Sequence, residues 1–160
     1  MEHCYIMDNN SGVKINEKAR CIAKELLKLG FTLQVYCAYS TNSVYIKLDY
    51  GACNSIRISD HTGKEYLNYR YNLTKGLIDG RVEKKRYIRY YYPFTKCDDM
   101  IKQILTDREY RIKQYSLAGY RVIMDNNIKD GRGKAGFWDK AAIVKTENTG
   151  LPRCWRGADG

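Results

Sequence analysis

The feature that most constrains the fold is a series of short segments in which apolar and polar residues alternate. Residues 31–37 place apolar side chains at odd positions, and residues 44–49 place them at even positions. The alternation returns at residues 56–59 and 67–73, and short polar stretches separate the segments. A period of two is typical of a strand with one buried face, and short connections favour antiparallel neighbours. The pattern therefore predicts an antiparallel sheet with one apolar face.

An amphipathic helix is predicted before the sheet, at about residues 15–29. Apolar side chains repeat there at helical spacing, while charged residues that include Lys18 largely occupy the opposite side. Gly30 follows at the position where a left-handed backbone conformation often ends a helix. We expect this helix to cover the apolar face of the sheet.

A further strand is predicted at about residues 84–92 and a second helix at about residues 96–116. Thr95 is placed to cap that helix, and Asp98 and Asp99 lie in its first turn, where carboxylates suit the helix dipole. The predicted fold class is α+β, a twisted antiparallel sheet of about four to six strands with two helices packed on one face.

The last part of the chain has a different character. We predict a short strand at residues 120–124, which closes a single domain of residues 1–124. Residues 125–160 are then a basic, glycine-containing C-terminal extension that is partly flexible. An apolar stretch at residues 137–144 has to pack against the rest of the protein, and Trp155 is placed to anchor the end of the chain.

Positive charge is concentrated in the later part of the sequence. The chain has 28 Lys and Arg against 18 Asp and Glu, for a net charge of +10. Residues 1–60 carry 7 basic and 6 acidic side chains, whereas residues 61–160 carry 21 basic and 12 acidic ones. Such a surface increases the rate of encounter with polyanions or acidic protein surfaces. It excludes an acidic mimic of the nucleic-acid backbone.

The cysteine pattern argues against a structural metal site. None of the six cysteines forms a C-x-x-C pair, and His3 and His61 are the only histidines, whereas structural zinc needs four ligands that normally arrive in close pairs. We predict no metal and no cofactor. The thiols are expected to be reduced and mostly buried, and Cys37 fits this because it lies on the apolar phase of a strand.

A cytoplasmic location is expected. No apolar run approaches the 18 residues that indicate a membrane-spanning helix. The first four residues, Met1 to Cys4, also lack the basic residues and following apolar stretch of a secretory signal.

The candidate binding segment is residues 81–92, where basic and aromatic side chains are interleaved. Arg and Lys neutralise phosphates, and tyrosine rings stack on bases or fill protein pockets. An edge strand protected by charge against aggregation is the alternative interpretation. The predicted partner-binding residues are Lys84, Lys85, Arg86, Arg89, Tyr90, Tyr91 and Tyr92. Alternation places Arg86, Tyr90 and Tyr92 on the face nearer the core.

No catalytic site can be assembled from the sequence. Asp60 and His61 are adjacent, but a general base usually needs a third group that orients it, and none is evident. Residues 130–136 contain glycine and lysine but do not match a phosphate-binding loop, so a flexible basic loop is the interpretation. The dipole of the second helix explains Asp98 and Asp99 without a metal. We predict that the protein is not an enzyme.

Two segments resemble those of a known group of proteins. They are residues 43–49, Ser-Val-Tyr-Ile-Lys-Leu-Asp, and residues 54–61, Asn-Ser-Ile-Arg-Ile-Ser-Asp-His. With the preceding helix and residues 69–72, they resemble small proteins from phages and mobile elements of Firmicutes. Several of these are anti-CRISPR inhibitors of the type II effector nuclease. The resemblance covers residues 15–75 and supplies no catalytic residue. It implies a scaffold in this region, with target choice in residues 76–160.

The resemblance implies a stoichiometric inhibitor that docks on one nuclease domain and blocks the rearrangement needed for DNA cleavage. The alternative is a basic nucleic-acid-binding protein that acts on guide RNA or DNA with the same surface. Salt separates the two, because phosphate binding weakens steeply with salt concentration. A third hypothesis, a small nuclease that uses Asp60 and His61, requires a divalent metal.

Overall fold

The computed structural model describes residues 11–38, 42–60, 65–72, 87–131, 141–146, 150–152 and 155. These residues form an α+β fold with two helices and one antiparallel sheet of six strands. The elements are α1 (Ser11–Lys28), β1 (Leu33–Cys37), β2 (Val44–Leu48), β3 (Asn54–Ser59), β4 (Tyr66–Asn72), β5 (Tyr87–Tyr92), α2 (Cys97–Gly131) and β6 (Ala142–Val144). The α+β class and the antiparallel sheet are therefore confirmed.

The strands lie side by side in the order β5-β4-β3-β2-β1-β6, so the sheet is open, with β5 and β6 as the outer strands. Strands β1 to β5 follow one another across the sheet as in a meander. The connections between β1 and β4 are short, as predicted, whereas 14 residues separate β4 from β5. The register aligns Val35 with Ile46, Ile46 with Ile56, and Ile56 with Tyr69. All four of these side chains are buried, which confirms the predicted phase of alternation.

The hydrophobic core lies on the face that this row defines. Apolar side chains from α1, including Ile22 and Leu26, belong to the same buried cluster as Met100 and Ile104 of α2 and the alternate residues of the strands. Each fully buried aliphatic side chain stabilises the fold by about 1.5–3 kcal/mol relative to an exposed one. The helical stripes found in the sequence and the strand pattern thus meet in one core.

The end of α1 follows the sequence prediction. Gly30 has φ of +88°, the Phe31 amide donates to the Leu26 carbonyl, and the Gly30 amide donates to the Leu27 carbonyl. These two bonds are the Schellman arrangement, which turns the chain and delivers Phe31 to the core. The prediction for Lys18 is wrong, because Lys18 is only 2% exposed, with Nζ 3.4 Å from Cys97 Sγ.

The second helix is much longer than predicted, and the predicted strand at residues 120–124 is wrong. A single break at Ser116, with φ of +67° and ψ of 166°, divides α2 into two helical segments. The Ser116 hydroxyl accepts a hydrogen bond from the Gly119 amide at 3.2 Å, as an N-cap does. A new helix therefore starts where the sequence pattern indicated a stop, and it buries Tyr120 and Ile123.

The start of α2 matches the expectation in part. Asp98 and Asp99 lie in its first turn, as predicted. Thr95 lies inside a one-turn 3₁₀ helix, Phe94–Lys96, that precedes α2. It is therefore not at the N-cap position of α2 that the sequence predicted.

The C-terminal residues that the structure describes are part of the fold. Strand β6 pairs with β1 and buries Val144, and the expected anchor Trp155 is buried in the core. Trp155 Nε1 donates a hydrogen bond to Asn16 Oδ1 at 3.2 Å, which ties this region to α1. A domain boundary at residue 124 stays a prediction, although α2 runs through that position.

The expectation of reduced thiols is wrong for two cysteines. Cys21 and Cys37 are disulfide-bonded, whereas Cys53 and Cys97 are buried thiols outside any disulfide. Cys37 is only half-buried, at the end of β1, with Sγ 3.9 Å from Asn16 Oδ1 of α1. Disulfides join residues that are distant along the chain, and sequence spacing alone does not reveal them.

Neither α1 nor α2 has a segment that is apolar enough to cross a membrane, among the residues that the structure describes.

Candidate binding surface on the second face of the sheet

Strand β5 carries four of the seven predicted partner-binding residues. Its register with β4 sets Arg89 opposite Arg70 and Tyr91 opposite Asn68, on the face away from the core. Tyr90 and Tyr92 point the other way, as predicted, and pack against the core. Lys84, Lys85 and Arg86 lie outside the described residues.

Tyr90 is held in a structural arrangement. Its ring stacks on that of Tyr69, with centroids 5.8 Å apart and planes at 19°. The Tyr69 hydroxyl in turn donates to Asp107 Oδ2 at 2.7 Å, so this pair connects the outer strand to α2. Burial, followed by the neighbouring Tyr90, raises the pKa of Tyr92 above its ordinary value. The part of Tyr90 and Tyr92 in partner binding stays a prediction.

The face opposite the core, called the second face below, assembles residues from five strands in two rows. Most of its side chains are half-buried or exposed, although Ser43 and Ser59 at one end are buried. Tyr36, Tyr45 and Tyr91 of this face do not belong to the core cluster. One row contains Tyr36, Tyr45, Arg57, Asn68 and Tyr91, and the neighbouring row contains Gln34, Lys47, Ser55, Arg70 and Arg89.

The charges of the second face all have one sign. The six strands contain Lys47, Arg57, Arg70 and Arg89 and no Asp or Glu, and all four cations lie on this face. Arg70 and Arg89 lie opposite each other on neighbouring strands, and Ser55 lies between Lys47 and Arg70 in the same row. A field of one sign attracts anionic partners over about a Debye length, roughly 10 Å at 0.1 M salt.

Arg57 is held in place at the centre of this face. Its guanidinium carbon lies 5.5 Å from the centroid of the Tyr45 ring, and Nη2 donates to the Ser43 hydroxyl at 3.2 Å. Ser43 Oγ is also 2.8 Å from Ser59 Oγ, and both serines are buried. A guanidinium fixed in this way loses less side-chain entropy when it binds an anion.

On the second face, an aromatic pair lies towards the β5 edge of the sheet. The rings of Tyr66 and Tyr91 have centroids 6.1 Å apart and are tilted by 54°. Tyr91 is 62% exposed, so most of its ring remains available to a partner. Together with Arg89, it forms the outermost part of the second face.

The densest cluster of polar groups lies on the other side, in the core, around Asp49. This residue is 1% exposed, begins a 3₁₀ turn after β2, and accepts hydrogen bonds from the Thr32 amide at 2.9 Å and the Tyr120 hydroxyl at 2.6 Å. Arg108 Nε lies 3.1 Å from Asp49 Oδ2. The cluster links β1, the turn after β2 and both segments of α2.

Arg108 has further structural contacts. Its Nη1 and Nη2 donate to the Leu29 and Gly30 carbonyls at 3.2 and 3.3 Å, and its guanidinium carbon lies 4.1 Å from the Phe31 ring centroid. Arg108 thus satisfies the carbonyls at the end of α1 and neutralises Asp49. Sequence reasoning missed this cluster, because its members are spread over residues 29–120.

Burial keeps two groups in this region, Cys53 and Tyr120, in their protonated form. Burial, with the Asp49 carboxylate as a further cause, raises the pKa of the Cys53 thiol far above its ordinary value, and burial does the same to the Tyr120 hydroxyl. Such groups stay neutral and do not act as nucleophiles at neutral pH. The hydrogen bonds and the ion pair of Asp49 therefore have a structural role.

Of the adjacent pair considered for catalysis, Asp60 belongs to the part of the chain that the structure describes. Asp60 is half-buried directly after β3, and His61 lies outside the described residues. Within the described part of the chain, no three His, Cys, Asp or Glu side chains are grouped to hold a metal ion.

No protein-family model, curated protein or solved structure matches this chain.

Proposed function

We propose that the protein is a stoichiometric inhibitor of a type II CRISPR effector nuclease, which acts in the host cytoplasm by occupying a surface and without catalysing a reaction. The resemblance of residues 43–61 to small phage and mobile-element proteins supports this partner. The observation that carries the proposal is the second face. Four cations share this surface with tyrosines that include Tyr36, Tyr45 and Tyr91, and the strands hold no carboxylate.

The mechanism is steric. In such nucleases, target binding and the rearrangement that licenses cleavage are separate steps. A rigid sheet that occupies one domain surface prevents the rearrangement and needs no active site. Arg57 and Tyr91 are suited to be anchors, because Arg and Tyr commonly dominate binding energy when a partner buries them. Lys47 and Arg89 then mainly increase the association rate.

The resembling segment contributes to this surface as well as to the core. The segment contains β2 (Val44–Leu48) and β3 (Asn54–Ser59), whose alternate residues include Tyr45 and Arg57 on the second face. Arg89 and Tyr91 come from the later part of the chain. The expectation that residues 76–160 alone choose the target stays a prediction, and the proposed surface draws on both parts.

The test is co-purification with a type II effector, with and without guide RNA, at two salt concentrations. The double variant Arg57→Glu/Arg89→Glu removes capture and inhibition and keeps its circular dichroism spectrum. The matched control is Lys102→Glu/Lys113→Glu, two exposed residues of α2 with the same change in charge, and it retains both activities. Full inhibition by the Arg57/Arg89 variant would contradict the proposed surface, and failure to capture any effector would contradict the function.

Two further arms sharpen this experiment. Lys85→Glu/Arg86→Glu tests the predicted contacts outside the described residues. Dithiothreitol in a parallel purification tests the cytoplasmic location, since that compartment keeps most thiols reduced and Cys21 and Cys37 are oxidised in the fold. We expect capture to persist in the reductant, and its loss would argue against action in the cytoplasm.

A further inference from the structure

We propose that the second face binds single-stranded nucleic acid directly, with its tyrosine rings stacked on bases and its cations on phosphates. This goes beyond the proposed function, because it concerns the isolated protein and a ligand class that needs no nuclease. Open sheets with aromatic side chains are an established way to hold unpaired bases, and stacking tolerates any base.

The dimensions of the face suit a short strand of nucleic acid. The row from Tyr36 to Tyr91 crosses five neighbouring strands. With strands about 4.8 Å apart, the row spans about 19 Å. At roughly 3.4 Å per stacked nucleotide, this length accommodates about five nucleotides.

Rings and cations lie close together at two places on the second face. Tyr45 neighbours Arg57, and the adjacent row supplies Lys47 beside them on β2. At the outer strand, Tyr91 and Arg89 are two residues apart on one face. The Arg57 guanidinium, already positioned against the Tyr45 ring, adds a planar cation on which a base can stack.

The same features favour a single strand over the other anionic partners. A duplex offers phosphates to the cations, but its bases are stacked inside and give the tyrosines no partner. An acidic protein surface uses the four cations and offers the tyrosine rings no base to stack on. The contribution of the tyrosine rings to the binding free energy therefore distinguishes a single strand from a duplex and from an acidic protein surface.

The experiment is fluorescence anisotropy with the whole protein and a labelled oligouridylate of about 12 nucleotides, within the usual range of site sizes. A duplex of equal length and polyglutamate of equal charge are the comparison ligands. We expect the oligouridylate to bind most tightly. Tyr45→Ala/Tyr91→Ala weakens it at least about tenfold, given about 1–3 kcal/mol for each stacked base. Tyr110→Ala, an exposed tyrosine of α2, leaves it unchanged.

Salt dependence provides a second readout. Each phosphate contact on a single strand contributes about 0.7 to the slope of log affinity against log salt, so Arg57→Gln/Arg89→Gln reduces that slope by about 1.4. Circular dichroism confirms that each variant is folded.

Three outcomes overturn the inference. Failure of the wild-type protein to bind the oligouridylate at low salt overturns it directly. Equal affinity for polyglutamate, with no effect of Tyr45→Ala/Tyr91→Ala, identifies the face as a site for an acidic protein surface. Equal affinity for the duplex excludes base stacking. Capture of an effector without guide RNA, together with no oligouridylate binding, contradicts this inference and leaves the proposed function intact. Oligouridylate binding without capture of any effector supports this inference and contradicts the proposed function.

Discussion

The two faces of the sheet are built from the same strands and have opposite chemistry. On the core face, the row of Val35, Ile46, Ile56 and Tyr69 is buried. The adjacent row, one residue away on each strand, contains Tyr36, Tyr45, Arg57 and Asn68 and is half-buried. Its cation, Arg57, is held by a ring and a hydroxyl.

The comparison shows that one alternating pattern encodes both the fold and the surface. Because the side-chain period is two, neighbouring positions belong to different faces. A change at one position is expected to affect stability, and a change at the next to affect the proposed binding. Tyrosine occurs on both faces with different roles. Tyr69 connects to Asp107 of α2, whereas Tyr91 is mostly exposed.

The largest effect is expected from neighbouring substitutions on β2. Ile46→Asp places an unpaired charge in the core and costs several kcal/mol, comparable with the whole stability of about 5–15 kcal/mol of a typical domain. Lys47→Glu, on the second face, leaves the fold intact. Thermal unfolding followed by circular dichroism measures both. A folded Ile46→Asp variant would refute the assignment of the faces.

The next effect concerns the Asp49 cluster. Tyr120→Phe removes a 2.6 Å hydrogen bond and leaves Asp49, which is buried, without one of its donors, so stability falls by about 1–3 kcal/mol. Tyr110→Phe, on the exposed side of α2, is the control and has no measurable effect. Urea unfolding gives both values. Equal stability of the two variants would show that the cluster does not stabilise the fold.

Alkaline pH tests the same buried groups. In the unfolded chain, the Cys53 thiol and the Tyr120 hydroxyl lose their protons near their ordinary pKa values of 9.0 and 10.0, whereas burial raises both pKa values in the folded protein. The folded state therefore binds more protons there, and the stability contribution that is complete below pH 9 is lost as pH rises. Each group contributes at most about 1.4 kcal/mol per pH unit.

Unfolding by urea between pH 8 and 11 checks this dependence. Tyr120→Phe is expected to flatten the fall in stability above pH 10, because it removes one of the two groups. A profile that is flat, or that rises with pH, would contradict the burial of these side chains.

The smallest effect is expected at Ser116, where the left-handed backbone strains a residue with a Cβ atom while its hydroxyl caps the following helix. Ser116→Gly relieves the strain and loses only a few tenths of a kcal/mol of capping, so it is stabilising by about 1 kcal/mol. Ser116→Ala keeps the strain, loses the cap and is destabilising by about 1 kcal/mol. Calorimetry that ranks Ala above Gly would exclude this backbone conformation.

Much of the fold was predictable, because each of these elements has one apolar side that its own sequence reveals. Alternation marks the strands at residues 31–37, 44–49 and 67–73, and helical spacing marks the helix at residues 15–29. The second half of α2 was not. Residues 120–124 are rich in β-branched and aromatic residues, which favours a strand locally, but Ser116 starts a new helix and Tyr120 bonds to Asp49. Tertiary contacts decide that segment.

The candidate surface was predictable only at one edge. Arg89 and Tyr91 were evident from the interleaved residues of β5, and alternation correctly separated them from Tyr90 and Tyr92. The contributions of Tyr45 and Arg57 depend on the register between strands that no local pattern specifies. The sequence did not predict that Cys21 and Cys37 are disulfide-bonded for the same reason, because the pairing of cysteines depends on the folded chain.

The most direct test of the second face as the binding surface uses the tyrosines themselves. Nuclear magnetic resonance of protein with isotope-labelled tyrosine rings, titrated with the oligouridylate, compares rings on the two faces. We predict that signals of Tyr36, Tyr45 and Tyr91 shift while those of Tyr69, Tyr90 and Tyr120 stay in place. Shifts confined to the second set, or shared equally by both, would contradict the account.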